Sequence, residues 1–429
     1  MEKIRKYLQR AYYRITNSIA FYPTIISFFF LLLAIGMLVL EQKQVFQNIE
    51  EKLPYLFIRN VETARVILAT LISGIISLTV FSFSMVMVLL NQASTNYSPR
   101  LLPGLISDKQ NQGVLGIYLG SLVYNILVLI AVLPNSENKS VIGFSVFVGI
   151  VMGIVCLGFF VFFIHAISSA IQIGTILRET HQKAKKDLGR IKSSKDFIWL
   201  YEAPIRSQWE IFSSPISGFL QDINIDRILG IATQLKINIV FMKEAGLYIQ
   251  KGQPLMSVNQ RISEEQIRSI LESVNITESI DMRDKYLMGI RHITEVGIKA
   301  MSPGINDPGT AITTIDYLSE LFRARMEAGN YRRYDSPNID FWVIVPEVSF
   351  ADLLYDTMAA YRNYCSHDYN VAKKLITCLN YLLESPVAHP SYREEVKKQQ
   401  DLLVEQLREN IFNPNDVQKL IRSMDKKQP

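Results

Sequence analysis

Four stretches of this chain are long and apolar enough to cross a bilayer, and they constrain its fold more than any other feature. A spanning helix needs roughly 20 mostly apolar residues. Runs of that kind lie at Ile19–Leu40, Val66–Leu90, Gly113–Leu133 and Val141–Ile164. Hydrocarbon offers backbone N–H and C=O groups no partner, so runs of this length must be helical. The last run continues past His165 to Leu177 and reads as one helix leaving the membrane. Ile19–Leu40 exceeds the ~7–15-residue apolar core of a cleavable signal, and none is expected.

From Arg178 onward the composition becomes that of an ordinary soluble protein, with mixed charge and regular helical patterning. The expected architecture is a mainly α membrane protein. Four transmembrane helices (1–177) lead through a helical stalk (178–208) into a cytoplasmic α/β region. That region comprises a small β module (209–260) and a mainly helical C-terminal domain (261–429). Basic residues set the orientation. Lys3, Arg5, Lys6, Arg10 and Arg14 precede the first span, and Arg178, Lys183, Lys185, Lys186 and Arg190 follow the fourth. Both termini are therefore expected in the cytoplasm of a bacterial plasma (inner) membrane. This placement of positive charge excludes a nucleic-acid partner, which would need a basic face on the soluble part. Cys156, Cys365 and Cys378 have no ligand or disulfide spacing and read as reduced structural residues.

The second span is the most informative segment. A helix advances about 100° per residue, which puts Ser73, Ser77, Ser84 and Asn91 within roughly 40° of one another. Thr95 and Ser98 continue the line, and Val80 and Met87 edge it. A polar stripe in hydrocarbon must face protein or water. One reading is helix packing through small hydroxyl residues. The other is a water-filled path in which Val80 and Met87 are apolar constrictions that gate by dewetting. In the fourth span Gly149 and Gly153 permit close helix contact, within a protomer or between protomers. His165 and Asn125 read as interfacial and packing groups.

In the soluble half, SPISGFLQ (214–221) and GLYIQKGQPL (246–255) suggest short strands broken by turn glycines. The pair resembles the two halves of a barrel-sandwich hybrid, with Gly218, Gly246 and Gly252 at the turns. Carriers of that fold modify a Lys on an exposed hairpin. No such hairpin separates these halves, so Lys236 is given no carrier role and the module is read as structural. Ser263 and Gln266 form a capping box, after which the chain is read as helical to its end, apart from an apolar β-like run at Asp340–Pro346. In MSPGINDPGTA (301–311), Asp307 reads as an N-cap with Pro308 at the first helical position. The free N–H groups of such a helix start make Ser302, Asn306, Asp307 and Thr310 a candidate ligand loop, with anion binding in view.

No Walker loop, dinucleotide fingerprint, nucleophile elbow or HExxH is present, so no catalytic residue, metal or cofactor is expected. SFSMVMVLLNQASTNYSPRLL (82–102), FFIHAISSAIQ (162–172) and GIRHITEVGIKAMSPGINDPGTAITTIDYL (289–318) closely resemble a bacterial family of predicted membrane proteins, domain of unknown function 2254. That resemblance implies a multi-pass inner-membrane protein and supplies no substrate. The leading expectation is a homo-oligomeric channel or transport-like protein whose second span faces a central cavity. The alternative is a membrane-anchored sensor or scaffold whose soluble region binds a ligand or partner protein of unknown identity.

Overall fold

The computed structural model describes residues 20–43, 45–46, 52, 57–58, 60–96, 109–132, 143–170, 172–204, 208–278, 286–336 and 340–424. The chain divides into two compact units, Met1–Thr175 and Ile176–Pro429.

The first unit is a bundle of α1 (Phe21–Gln42), α2 (Val61–Asn96), α3 (Lys109–Ala131) and α4 (Gly143–Ala170). Each is long and apolar enough to cross a membrane. Helix α3 is the hub, packing against α1, α2 and α4. Half of its span is buried, against 11–22% for the other three. Glycines make this possible. A side chain at Gly116 would collide with Pro23 and Ile26 of α1, and one at Gly120 with Phe30. On α4, Gly149 faces Asn125 and Leu68, and Gly153 faces Leu71. The Gly149/Gly153 pair thus serves contacts inside one protomer. At the end of the bundle where α4 begins, Glu41 accepts hydrogen bonds from the Phe144 and Ser145 backbone N–H groups, at 2.9 and 3.2 Å, and from the Ser145 hydroxyl. A carboxylate is well placed there, because the first turn of a helix leaves N–H groups unpaired and carries partial positive charge. Phe46 and Phe57 stack on Phe144 beside it.

The second unit opens with α5 (Ile173–Ser193), a helix separate from α4. The segment expected as a stalk is instead an amphipathic helix built into this unit. It buries Leu177, His181, Ala184 and Leu188. The absence of a side chain at Gly289 lets α8 (Tyr286–Ala300) approach Ala184. Asp187, also buried, accepts from the Tyr286 N–H at 2.9 Å at the start of α8, and from Arg190 at 2.7 Å.

Among the described residues, nine strands form two sheets. The larger has the order β1 (Ile198–Leu200), β8 (Tyr331–Asp335), β9 (Trp342–Pro346), β4 (Ile239–Phe241), β6 (Pro254–Val258), β2 (Glu210–Ser213). The smaller is β5 (Tyr248–Ile249), β3 (Gly218–Ile223), β7 (Val274–Thr277). All pairings are antiparallel except β4 with β9, in the register Ile239↔Val343. The strands of residues 209–260 therefore do not close on themselves as a barrel-sandwich. β4 needs β9, and β3 needs β7, to complete its backbone hydrogen bonds. Gly246 and Gly252 do adopt the positive φ that their turns require. Lys236 is the left-handed C-cap of α6 (Ile225–Leu235). Leu220, Ile228, Phe241, Leu255, Met256, Ile270 and Val343 share one core, which α6 and α7 (Glu264–Leu271) help to cover. The remaining helices are α9 (Pro308–Met326), α10 (Phe350–Cys365), α11 (Tyr369–Glu384), α12 (Ser391–Asn410) and α13 (Pro414–Met424).

Candidate functional site

Helix α2 carries the expected stripe, and it points away from the bundle. Ser73, Ser77, Val80, Ser84, Met87 and Asn91 are all exposed on the single chain. Thr95 closes the helix without a described side chain, and Ser98 lies outside the described residues. The inward face of α2 meets its neighbours through Ala64, Leu68 and Ile75, with Ser82 buried further along it. Two hydroxyls on the outer face are satisfied within the helix: Thr70 donates to the Val66 carbonyl at 2.7 Å and Ser77 to that of Ser73 at 2.9 Å. Such back-bonding lowers the cost of a hydroxyl in an apolar medium. The outward faces of the flanking helices differ. On α4 the exposed span residues include Val151, Ile154, Val155, Leu157, Val161 and Phe162; on α1 they include Ile25, Phe28, Phe29, Leu32, Ile35 and Val39. These are surfaces suited to lipid tails. At about 54 Å, from 1.5 Å per residue, α2 also outreaches a hydrocarbon layer of about 30 Å.

A second polar line lies inside the bundle, and only Asn125 among its members was singled out in the sequence, as a packing group. Gln112, Tyr118, Ser121 and Asn125 of α3 are buried, together with Ser82 of α2. Asn125 donates to the Ser121 carbonyl at 2.8 Å, and Gly149 leaves room for its amide. Helical spacing puts Tyr118, Ser121 and Asn125 within about 60° of one another, with Gln112 off that face; their burial is what the spacing alone does not give. Part of this line opens into a cavity of about 300 Å³ between α2, α3 and α4.

The 301–311 loop is closed on itself. Asp307 accepts from the Thr310 N–H at 3.1 Å and from its hydroxyl at 2.5 Å. Those bonds hold its carboxyl below the usual carboxylate range. Asn306 takes a left-handed φ of 48°, and the Asn306 N–H and Asp307 N–H bond to Ser302 and Ala300 carbonyls. Asp307 thus fills the helix start that the sequence offered to an anion, and its negative charge opposes one. Ser302, Asn306, Asp307 and Thr310 build a turn and cap between α8 and α9.

A cluster of buried and half-buried charges lies elsewhere in this unit. Arg325, 1% exposed, donates to the Ala328 and Val348 carbonyls and to Asn330. Arg332 pairs with Glu347 at 2.5 Å, and the Tyr286 hydroxyl donates to the other Glu347 oxygen at 3.0 Å. Burial is the largest influence and disfavours the Arg332 charge, but Glu347, Tyr334 and Tyr286 together outweigh it and hold its pKa up. Each of these side chains has at least one hydrogen-bond or ion-pair partner, as expected of a structural charge cluster. Among the described residues, no three His, Cys, Asp or Glu side chains gather as a metal site.

Comparison with known proteins agrees with the membrane architecture. The chain is 25% identical over 347 residues to Uncharacterized protein Rv1290c of Mycobacterium tuberculosis and, equally, to Uncharacterized protein Mb1321c of Mycobacterium bovis. Each match covers 78% of this chain and 66% of the relative, so the chain spans just under two thirds of the length of these proteins. No solved structure matches. The family model described as predicted membrane protein DUF2254 matches residues 16–381, including all four apolar helices and most of the second unit. This chain belongs to the DUF2254 family of predicted membrane proteins.

Proposed function

We propose that the protein is a homo-oligomeric, channel-like assembly of the bacterial inner membrane, with both termini cytoplasmic. In it the outward stripe of α2 borders a water-filled path between protomers. The observation that carries this reading is the contrast among exposed faces. α1 and α4 offer hydrocarbon tails, whereas α2 exposes Ser73, Ser77, Ser84 and Asn91 in one line. A neutral polar line of this kind is sheltered when copies meet around it. Exposed Val80 and Met87, at 60% and 55%, then form rings of apolar side chains that gate by dewetting. The basic residues before the first span and after the fourth support the orientation. The neutral lining favours a path for small hydrated solutes over a proton relay.

Liposomes containing the full chain test this reading by ion flux. Ser84→Leu and Asn91→Leu are expected to reduce flux, while Ile154→Leu on the lipid-facing side of α4 leaves it unchanged. Cysteines placed at Ser77 and Ser84 are expected to cross-link between copies and to react with water-soluble maleimide. Absence of flux, together with labelling of those cysteines only by a lipid-dissolved reagent, refutes the proposal.

A further inference from the structure

The cavity between α2, α3 and α4 has a character that the outward stripe does not explain. It is lined by Ser82, Phe83, Val86 and Met87 of α2, by Asn111, Gln112, Val114, Leu115 and Tyr118 of α3, and by Phe163 of α4. These positions lie near the end of the bundle where α3 begins and the spans of α2 and α4 finish. Its volume is about 300 Å³, around twice the roughly 150 Å³ of an apolar cavity that stays dry and admits benzene. Phe83 and Met87 on its rim are exposed at 58% and 55%, so the space opens sideways to the surface of the bundle. None of the ten described lining residues is charged.

Two hydroxyls within it are incompletely satisfied. Tyr118 is 0% exposed and Ser82 4%, and neither oxygen makes a well-formed hydrogen bond. The two hydroxyls are neighbours, and their contact with each other falls short of that geometry. A buried hydroxyl without a partner costs free energy. An acceptor oxygen from outside can take both donors at once. An ionised group is disfavoured there because no cation is among the described lining residues.

We propose that this cavity binds an uncharged, carbonyl-bearing membrane lipid. Its carbonyl oxygen accepts from Tyr118 and Ser82, and its hydrocarbon lies against Val86, Leu115 and Phe163 before passing out beside Met87. The ester carbonyl of a diacylglycerol and the ring carbonyl of an isoprenoid quinone share this chemistry. The site does not depend on the channel reading, and it stands if no flux is found.

The test uses the full chain in dodecyl maltoside micelles, whose detergent carries no carbonyl. A dioleoylglycerol bearing a diazirine on one acyl chain is cross-linked by light, and labelled peptides are mapped. Labelling is expected between residues 82 and 87 and between 111 and 118. Tyr118→Phe, which keeps the ring, is expected to weaken it about five-fold, the worth of one neutral hydrogen bond. Val86→Trp, which fills the space, is expected to abolish it. Competition by unlabelled dioleoylglycerol or by decylubiquinone supports the proposal and identifies the carbonyl source. The proposal is overturned if ionised oleate competes as well as either. It is overturned equally if a diazirine-bearing alkane labels the same peptides as strongly and Tyr118→Phe changes neither probe.

Discussion

Glu347 is the carboxylate on which two buried guanidinium groups depend, and its removal gives a sharp test of how the second unit is held together. Its side chain is 13% exposed and that of Arg332 21%, at a separation of 2.5 Å. Arg325, almost fully buried, also feels the Glu347 charge. Glu347→Gln keeps the size and can still accept from the Tyr286 hydroxyl, so it isolates the charge. Breaking a buried pair by removing one partner costs about 3–5 kcal/mol. Residual solvent access to both side chains places this case at about 3 kcal/mol. For a unit of this size each kcal/mol moves Tm by about 2–4 °C, giving a fall of about 6–12 °C. Thermal unfolding of the full chain in detergent, followed by circular dichroism, measures it. Adding Arg332→Met removes the stranded cation and is expected to restore most of the loss, because a buried ion pair and an apolar substitute are often close in energy. A single variant within 2 °C of wild type, or a double variant no better than the single one, would refute the reasoning; the 2 °C margin is about 1 kcal/mol or less.

Other outcomes follow from the same unit. Burial lowers the pKa of His181 from 6.5, with Glu320 opposing and Lys185 adding to the shift. Its neutral ring stacks on Tyr317 at 4.5 Å. A depressed His pKa means that the unfolded chain takes up the proton first, so this contribution is intact above pH 6.5 and fades as pH drops below it. His181→Phe, which keeps the stacking, should flatten the fall of Tm on acidification below that pH. Burial pushes the Cys365 thiol up to about 12 and that of Cys378 up to about 11. Both should resist iodoacetamide at about pH 8 until denaturant is added, since the thiolate is the reactive form; mass spectrometry of the two peptides reads this directly. Asp307→Ala should cost about 1 kcal/mol by removing the cap of α9, seen as faster amide exchange in its first turn. Because the Asp307 carboxyl is held below its usual value of 3.8, the cap persists above that pH and weakens as pH falls through the lower, folded-state value.

The apolar spans were legible because length and hydrophobicity alone decide whether a helix can cross a bilayer. The capping box at Ser263 and the cap at Asp307 were legible because both are local bonds, and they form as expected. The packing of the second unit was not, because it depends on partners distant in sequence. β7 and β8 fall in the stretch read as helical, yet β7 pairs with β3, and β8, with the residues YRRYD, pairs with β9 on one side and β1 on the other. Helix α6 hides behind Gly230 and a run of β-branched residues, which weaken helix propensity without cancelling the Asn224 cap. The α2 stripe was legible from its period. That it faces outward follows from which sides of α2 its neighbours occupy, and no period contains that. Tyr118, Ser121 and Asn125 of α3 share one helical face by period, but nothing in that period tells that the face is enclosed.

That enclosure bears on how the protein reaches its membrane. Tyr118, Tyr124, Ser121 and Asn125 are all fully hidden from the surroundings of the finished bundle. A newly made third segment released alone into lipid would present those groups to acyl chains, while α1 and α4 would lose little by the same release. Biogenesis is therefore best served if the insertion machinery retains α3 until the fourth segment has been synthesised. Folding of this half then begins with two oily helices already in place and ends by closing them around the least oily one.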